Sequence, residues 1–160
     1  MSAVAHDQDF FLWTRQQADA LRRLAETRPN AELDWSNLIE EVEDLGSEQE
    51  HAIVSHFTVV LVHLLKLAGL TDEPPRRHWM GEIAAQRGSL ARRLRRNPSL
   101  QARADALMAE GYVSARRQFV VLQDVPLTAL PEASPFALGE ILDDDWFPAA
   151  GALPLGKNSD

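Results

Sequence analysis

Hydrophobic residues recur at three- and four-residue steps along most of this chain, which is the period of an amphipathic α-helix. The pattern predicts a first helix with its N-cap at Asp9 and its end near Thr27. One face of that helix, which is mostly apolar, is Phe10, Trp13, Gln17, Leu21 and Leu24. The sequence has neither strand-like alternation nor hairpin turn signals. It therefore predicts an all-α fold.

A second helix is predicted after Asp34, and Gly46 stands where a left-handed residue would end it. Its apolar face is Trp35, Leu38, Ile39, Val42 and Leu45. Ser47 and Glu50 have the spacing of a capping box, which favours a third helix to about Ala68. The alternative is one kinked rod, because a seven-residue step continues through the glycine. We expect the break.

A fourth helix is predicted from about Arg76 to Arg96, where Asn97-Pro98 ends it. Ser99 is the expected cap of a fifth helix. The inward face of that helix is Leu100, Ala104, Leu107, Gly111, Ala115 and Leu122. A glycine on an inward face predicts a close helix crossing. Ser134-Pro135 is expected to start a short helix over residues 136–142.

The chain has 160 residues, of which 45% are hydrophobic and 25% are charged, as in ordinary globular proteins. We expect one helical-bundle domain over residues 1–148, with about five main helices and a short C-terminal one, and a flexible tail over 149–160. Polar residues interrupt the apolar stretch Ala52–Leu70, so a buried helix is expected there rather than a membrane span. With no cysteine and no secretory signal, the expected location is the cytoplasm.

Charge is segregated along the sequence, although the net charge is −8. Residues 32–50 hold eight acids and no base, whereas residues 76–117 hold ten arginines and three acids. We expect these segments to complement each other within the bundle or across a partner.

Arg87 falls on an apolar stripe of the fourth helix, where the helical step predicts a hydrophobic residue. A buried guanidinium needs a carboxylate or several acceptors, and Glu41 and Glu43 are the nearest candidates by helix face. The full candidate polar seam is Glu41, Glu43, Gln49, His56, His63 and Arg87. Two interpretations stay open: an ion pair that sets the helix register, or a pocket that binds a polar or anionic ligand.

The sequence contains only partial motifs for a metal site or a nucleic-acid site. Glu48 and His51 have the Glu-x-x-His spacing of di-metal bundles, but the second copy that such sites need is missing. We expect no metal or cofactor, and a single-ion site would draw on His51, Glu48 and His63. The candidates for phosphate contact are Arg92, Arg93, Arg95 and Arg96. No aromatic residues are interleaved with them, so a nucleic-acid partner is not expected.

Several runs of residues together resemble one protein family. They include Asp9-Phe10-Phe11-Leu12-Trp13, the run 33–46, His63-Leu64-Leu65-Lys66, Trp79, Ile83, Arg87, Asn97-Pro98-Ser99-Leu100, Pro135-Phe136 and Trp146-Phe147-Pro148. In this order they resemble the bacterial domain of unknown function 29 family over about residues 9–148. Leu67 departs from similar chains, in which an aromatic residue often follows the lysine. The resemblance implies a small, soluble, all-helical bacterial protein and no established activity.

Recognised catalytic motifs are also missing, including phosphate-binding glycine loops and a nucleophile elbow. The expected function is therefore a non-enzymatic interaction or self-association module, whose partner is another protein or a second copy. One alternative is a metal- or small-ligand-binding protein, or an enzyme, that uses the polar seam. Another is weak nucleic-acid binding through the arginine-rich helix. No membrane partner is expected.

Overall fold

Six α-helices in chain order make up most of the computed structural model, which describes residues 3–29, 32–71 and 75–155. They are α1 (Phe10–Thr27), α2 (Trp35–Gly69), α3 (Arg76–Arg96), α4 (Pro98–Gln101), α5 (Ala104–Gln123) and α6 (Leu138–Leu142), with a 3₁₀ turn at Leu127–Ala129 before α6. No strand occurs within those described ranges. The predicted all-α fold is confirmed.

The first helix begins and ends where its sequence predicts. The Asp9 side chain accepts from the Leu12 amide at 3.0 Å, as an N-cap should. The buried face is rotated from the expected one, because it consists of Phe10, Thr14 and Ala18. Leu24, which was expected to face inward, is 43% exposed. Thr14 tolerates burial because its hydroxyl donates to the Phe11 carbonyl at 2.7 Å.

The predicted break at Gly46 is wrong, because α2 continues through it as one helix of 35 residues. A Cβ atom at this position would collide with the Thr14 side chain of α1. The glycine therefore allows a close approach between α1 and α2 rather than a helix end. Ser47 is not a cap either, since its hydroxyl donates to the Glu43 carbonyl and accepts from the Arg15 guanidinium, both at 3.2 Å.

The C-terminal half of α2 is the core helix that its composition predicts. Eight of its apolar side chains are fully buried: Ile53, Phe57, Val60, Leu61, Leu64, Leu65, Leu67 and Ala68. By length and composition α2 could cross a membrane, but 56% of its most apolar window is buried inside the structure. That burial is typical of the core helix of a globular protein.

The predicted helix from Ser99 is divided into α4 and α5, and Asn97 rather than Ser99 precedes its first turn. Ser99 instead donates its amide and its hydroxyl to the Asp9 carboxylate, at 2.6 and 2.9 Å. The buried Asn97 side chain accepts from the Phe11 amide at 2.9 Å and donates to the Arg93 carbonyl at 2.8 Å. These bonds tie the start of α1 to the junction of α3 and α4.

Two further expectations about the C-terminal half are corrected. Leu122 is exposed, and Phe119 takes the inward position on α5 instead, one helical turn before it. The last helix begins at Leu138 rather than at residue 136, because Ser134 and Phe136 bond to each other locally. Phe136 thus packs as part of an irregular segment.

The structure divides into two compact units. One consists of Met1–Ile53 with Arg92–Arg103, and the other of Val54–Ala91 with Ala104–Asp160. The expectation of one domain over residues 1–148 stays a prediction. In the second unit, the Leu153 amide donates to the Ala68 carbonyl at 3.1 Å, so the described part of the expected tail contacts α2.

The close crossing predicted at Gly111 is confirmed within the second unit. A Cβ atom there would lie 2.9 Å from the Phe57 Cβ and 3.2 Å from the Val54 carbonyl oxygen. The Thr58 hydroxyl donates to the Gly111 carbonyl at 3.3 Å across the same crossing. Backbone lies on one side of this gap, so a larger residue has no space to occupy.

Gly111→Ala should therefore lower the free energy of unfolding by about 1–3 kcal/mol through overpacking. The matched control is Gly88→Ala in α3, where a Cβ atom meets nothing within 4 Å. That change should raise stability by about 0.5–1 kcal/mol, because alanine is the better helix former. Urea unfolding monitored by circular dichroism measures both. A stabilising effect at Gly111 would contradict the close crossing.

Candidate functional site

Arg87 of α3 is 2% exposed, as its place on the apolar stripe predicts. Its Nε donates to the Ile141 carbonyl at 2.7 Å, and Nη2 donates to the Glu140 carbonyl at 3.0 Å. The expectation of a Glu41 or Glu43 partner is wrong. The Ile141 carbonyl lies at the end of α6, where carbonyls lack intrahelical donors, so it can serve the guanidinium. The Glu140 carbonyl also accepts from the Asp143 amide at 3.4 Å.

The remaining environment of this guanidinium is aromatic and weakly acidic. The Phe147 ring centroid lies 5.0 Å from the Arg87 Cζ, within cation–π distance. Nη1 is buried and has no hydrogen-bond partner among the described residues. Burial lowers the pKa of Arg87, while the charges of Asp144 and then Asp143 oppose that shift. Arg87 therefore holds α6 and Phe147 on α3.

Three members of the candidate polar seam have other partners or are exposed. Glu43 accepts from the Arg22 guanidinium at 2.6 Å, and Glu41 is exposed. Gln49 accepts from Arg93 Nη1 at 3.0 Å. These three side chains belong to the first unit, and Arg87 belongs to the second.

The two histidines of the seam lie in the second unit, on α2. His56 Nδ1 is 2.6 Å from the Gln86 Oε1, and His63 Nδ1 is 2.8 Å from the Val59 carbonyl oxygen. A carbonyl can only accept, so Nδ1 of His63 carries a proton. Burial lowers the pKa of His63, the hydrogen bond to Val59 opposes that shift, and the nearby charge of Lys66 adds to it. His63 is thus a hydrogen-bonded, half-buried histidine.

Metal ligands do not converge in the described chain, where no group of three or more His, Cys, Asp or Glu side chains could hold an ion. His51 and Glu48 are exposed on α2. On the arginine-rich part of α3, Arg96 lies over the Phe10 ring at 4.8 Å, and Arg92 and Arg95 are exposed. Weak nucleic-acid binding there stays an untested alternative. The carboxylates of Asp143, Asp144 and Asp145 are exposed at the end of α6.

A cavity of about 260 Å³ lies in the second unit, beside the anchor that Arg87 forms. Its aromatic and proline walls are Pro135, Phe136, Trp146, Phe147 and Pro148. The other lining residues are Ala68, Glu140, Ala149, Ala152 and Leu153. Sequence reasoning missed this cavity, and the density of aromatic and proline residues over 135–148 was the available signal.

An apolar surface on the second unit was also missed. It comprises Val113, Val121 and Leu122 of α5, together with Leu127, and we call it the α5 face. Val121 is 80% exposed and Leu122 is 60% exposed. Arg117 lines a shallow depression of about 370 Å³ with both of them. Arg117 and Glu132 also line a smaller one with Val113 and Leu127.

These observations define a small all-helical protein with a buried arginine anchor, an aromatic cavity and an exposed apolar face. The chain belongs to the family described as domain of unknown function DUF29, whose model matches residues 5–147. It is similar in fold to a crystal structure of an α-helical protein of unknown function from Rhodospirillum rubrum ATCC 11170. The two are 24% identical, with a TM-score of 0.70, over 91% of this chain and 93% of that one. Curated proteins give no match.

Arg87→Met should lower the free energy of unfolding by about 1–3 kcal/mol, because it leaves the buried Ile141 carbonyl without its donor. The loss is limited, since the change also removes a buried charge with one unpartnered nitrogen. Exposed Arg77→Met is the control and should change stability by less than about 0.5 kcal/mol. Chemical unfolding of both variants checks this, and equal effects would contradict the anchor.

Because the pKa of His63 is lowered in the folded protein, acidic pH should destabilise the fold. Below about pH 6.5 the unfolded chain binds a proton at this histidine before the folded chain does. The free energy of unfolding therefore decreases as the pH decreases. His63→Gln should reduce that fall between pH 7 and 5, whereas His51→Gln at an exposed position should leave it unchanged. Thermal unfolding across this pH range measures the difference, and parallel profiles for wild type and His63→Gln would refute it.

Proposed function

We propose that this protein is a non-enzymatic self-association module that forms a symmetric homodimer through the α5 face. The carrying observation is the exposure of two adjacent large apolar residues, Val121 at 80% and Leu122 at 60%. Single exposed apolar residues are common, but a contiguous group on one helix end is typical of an interaction site. Dimer formation would remove this surface from water.

The charges beside the α5 face support a second copy as its occupant. Arg117 and Glu132 line the same depression and are oppositely charged. Neither forms an ion pair within the residues that the structure describes. In a two-fold dimer the same patch meets itself in opposite directions, so Arg117 of one copy can face Glu132 of the partner subunit.

The shape of the surface supports the same proposal. The depression beside Val121 and Leu122 is shallow and almost entirely apolar, and it is open to solvent. Such a surface suits the flat packing of one helix against another better than the enclosure of a small substrate. We place this association in the cytoplasm, in agreement with a chain that has no cysteine.

Val121→Asp should weaken the dimer at least about tenfold, because it places a charge in the centre of the interface. Leu33→Asp is the matched control, since Leu33 is an exposed leucine of the first unit. Sedimentation equilibrium over a concentration series, with circular dichroism to verify folding, gives the dissociation constants. A wild-type chain that remains monomeric, or a dimer that only Leu33→Asp dissociates, would contradict the proposal.

A charge exchange tests the two-fold arrangement itself. Arg117→Glu should weaken association by repulsion from Glu132 of the partner subunit, and Glu132→Arg should do the same. The double variant, which carries both changes on every chain, should recover association by at least about tenfold relative to either single variant. Additive losses in the double variant would show that these two side chains do not meet.

A further inference from the structure

We infer that the cavity walled by Phe136, Trp146 and Phe147 binds a small organic cation with apolar substituents, such as an alkylammonium ion. This site lies apart from the α5 face and does not depend on dimer formation. Its volume of about 260 Å³ lies just below the usual range of small-molecule sites, which starts near 300 Å³. It therefore suits a ligand of about nine non-hydrogen atoms, counted at the volume that water occupies.

The walls have the chemistry of a cation–π cage. The rings of Phe136 and Trp146 are 5.8 Å apart between centroids and inclined at 64°, so they form two sides of a corner. Phe147 forms part of the same wall. Aromatic faces attract a cation through the ring quadrupole, and several rings around one site are the usual receptor for alkylated ammonium groups.

Glu140 supplies the charge that selects a cation. Among the described residues that line the cavity, it is the one with a charged side chain. Its Oε2 accepts from the Ala137 amide at 2.9 Å, which holds the carboxylate in place at the start of α6. An organic cation would therefore meet rings on its apolar groups and a carboxylate on its charge.

The segment that supplies the aromatic walls is rich in acidic residues. Residues 132–148 contain five acids and no lysine or arginine. Arg76 and Arg87 approach this segment, but they donate to main-chain carbonyls, among them those of Pro148 and Ile141. Neither guanidinium is among the side chains that line the cavity. An anion would thus find no lysine or arginine side chain among the described residues of the wall.

The cavity is preformed by contacts that do not involve a ligand. Arg87 holds Phe147 through a cation–π contact, and Arg76 holds Pro148 through its carbonyl at 2.6 Å. The Leu153 amide bonds to the Ala68 carbonyl, and both residues line the cavity. A preformed site binds without an ordering cost, which favours affinity for a small ligand.

Titration with choline and with its uncharged isostere 3,3-dimethylbutan-1-ol tests the inference. Two-dimensional NMR of the purified full chain follows the Trp146 indole and the amides of residues 136–153. We expect choline to shift these signals and to bind at least about tenfold more tightly than the alcohol. Equal affinity for the alcohol, preferential binding of acetate, or no shift by choline would overturn the inference.

Two variants separate the carboxylate in the wall from the general acidity of the segment. Glu140→Gln keeps an acceptor for the Ala137 amide and removes the charge, so it should weaken choline binding about tenfold while the alcohol is unaffected. Asp145→Asn removes an exposed charge outside the lining and should weaken it less than about threefold. Equal weakening by both variants would contradict the selection of a cation by the Glu140 carboxylate.

Discussion

A permanently charged side chain buried between helices constrains the second unit of this protein. Arg87 cannot lose its proton, so its burial requires acceptors at positions that its fork can reach. The last carbonyls of α6 meet this need, because a helix end leaves its carbonyls without internal donors. The helix end therefore supplies acceptors for two of the three guanidinium nitrogens. The aromatic segment that follows α6 is held in place as a consequence.

In the first unit, side-chain hydrogen bonds join the start of α1 to the junction of α3 and α4. Asp9 caps α1 and also receives both donors of Ser99. The Asn97 side chain adds a further bond, because it accepts from the Phe11 amide in the first turn of α1. The runs around Asp9 and Asn97, on which the family resemblance partly rests, therefore have a structural explanation. Their polar residues join α1 to the junction of α3 and α4.

Small residues at helix crossings set how closely the elements pack. Gly46 lies against Thr14 in the first unit, and Gly111 lies against Phe57 in the second. Both glycines are inside helices, where they cost about 1 kcal/mol each relative to alanine. The close approach of neighbouring helices offsets this cost through van der Waals contact. The two surfaces of functional interest are on the second unit, where α5 leaves an apolar face uncovered and the segments before and after α6 line an open cavity.

The sequence by itself determined which segments are helical and that Arg87 is buried, because hydrophobic period and capping are local properties of the chain. It also identified the close crossing at Gly111. Only the tertiary structure decided that Gly46 continues a helix, that Arg87 bonds to carbonyls, and that Leu122 faces solvent. Each of these depends on a neighbour distant in sequence, and a one-dimensional pattern contains no information about which neighbour that is. The cavity also depends on neighbours distant in sequence, because its walls come from α2 and from residues about 80 positions later.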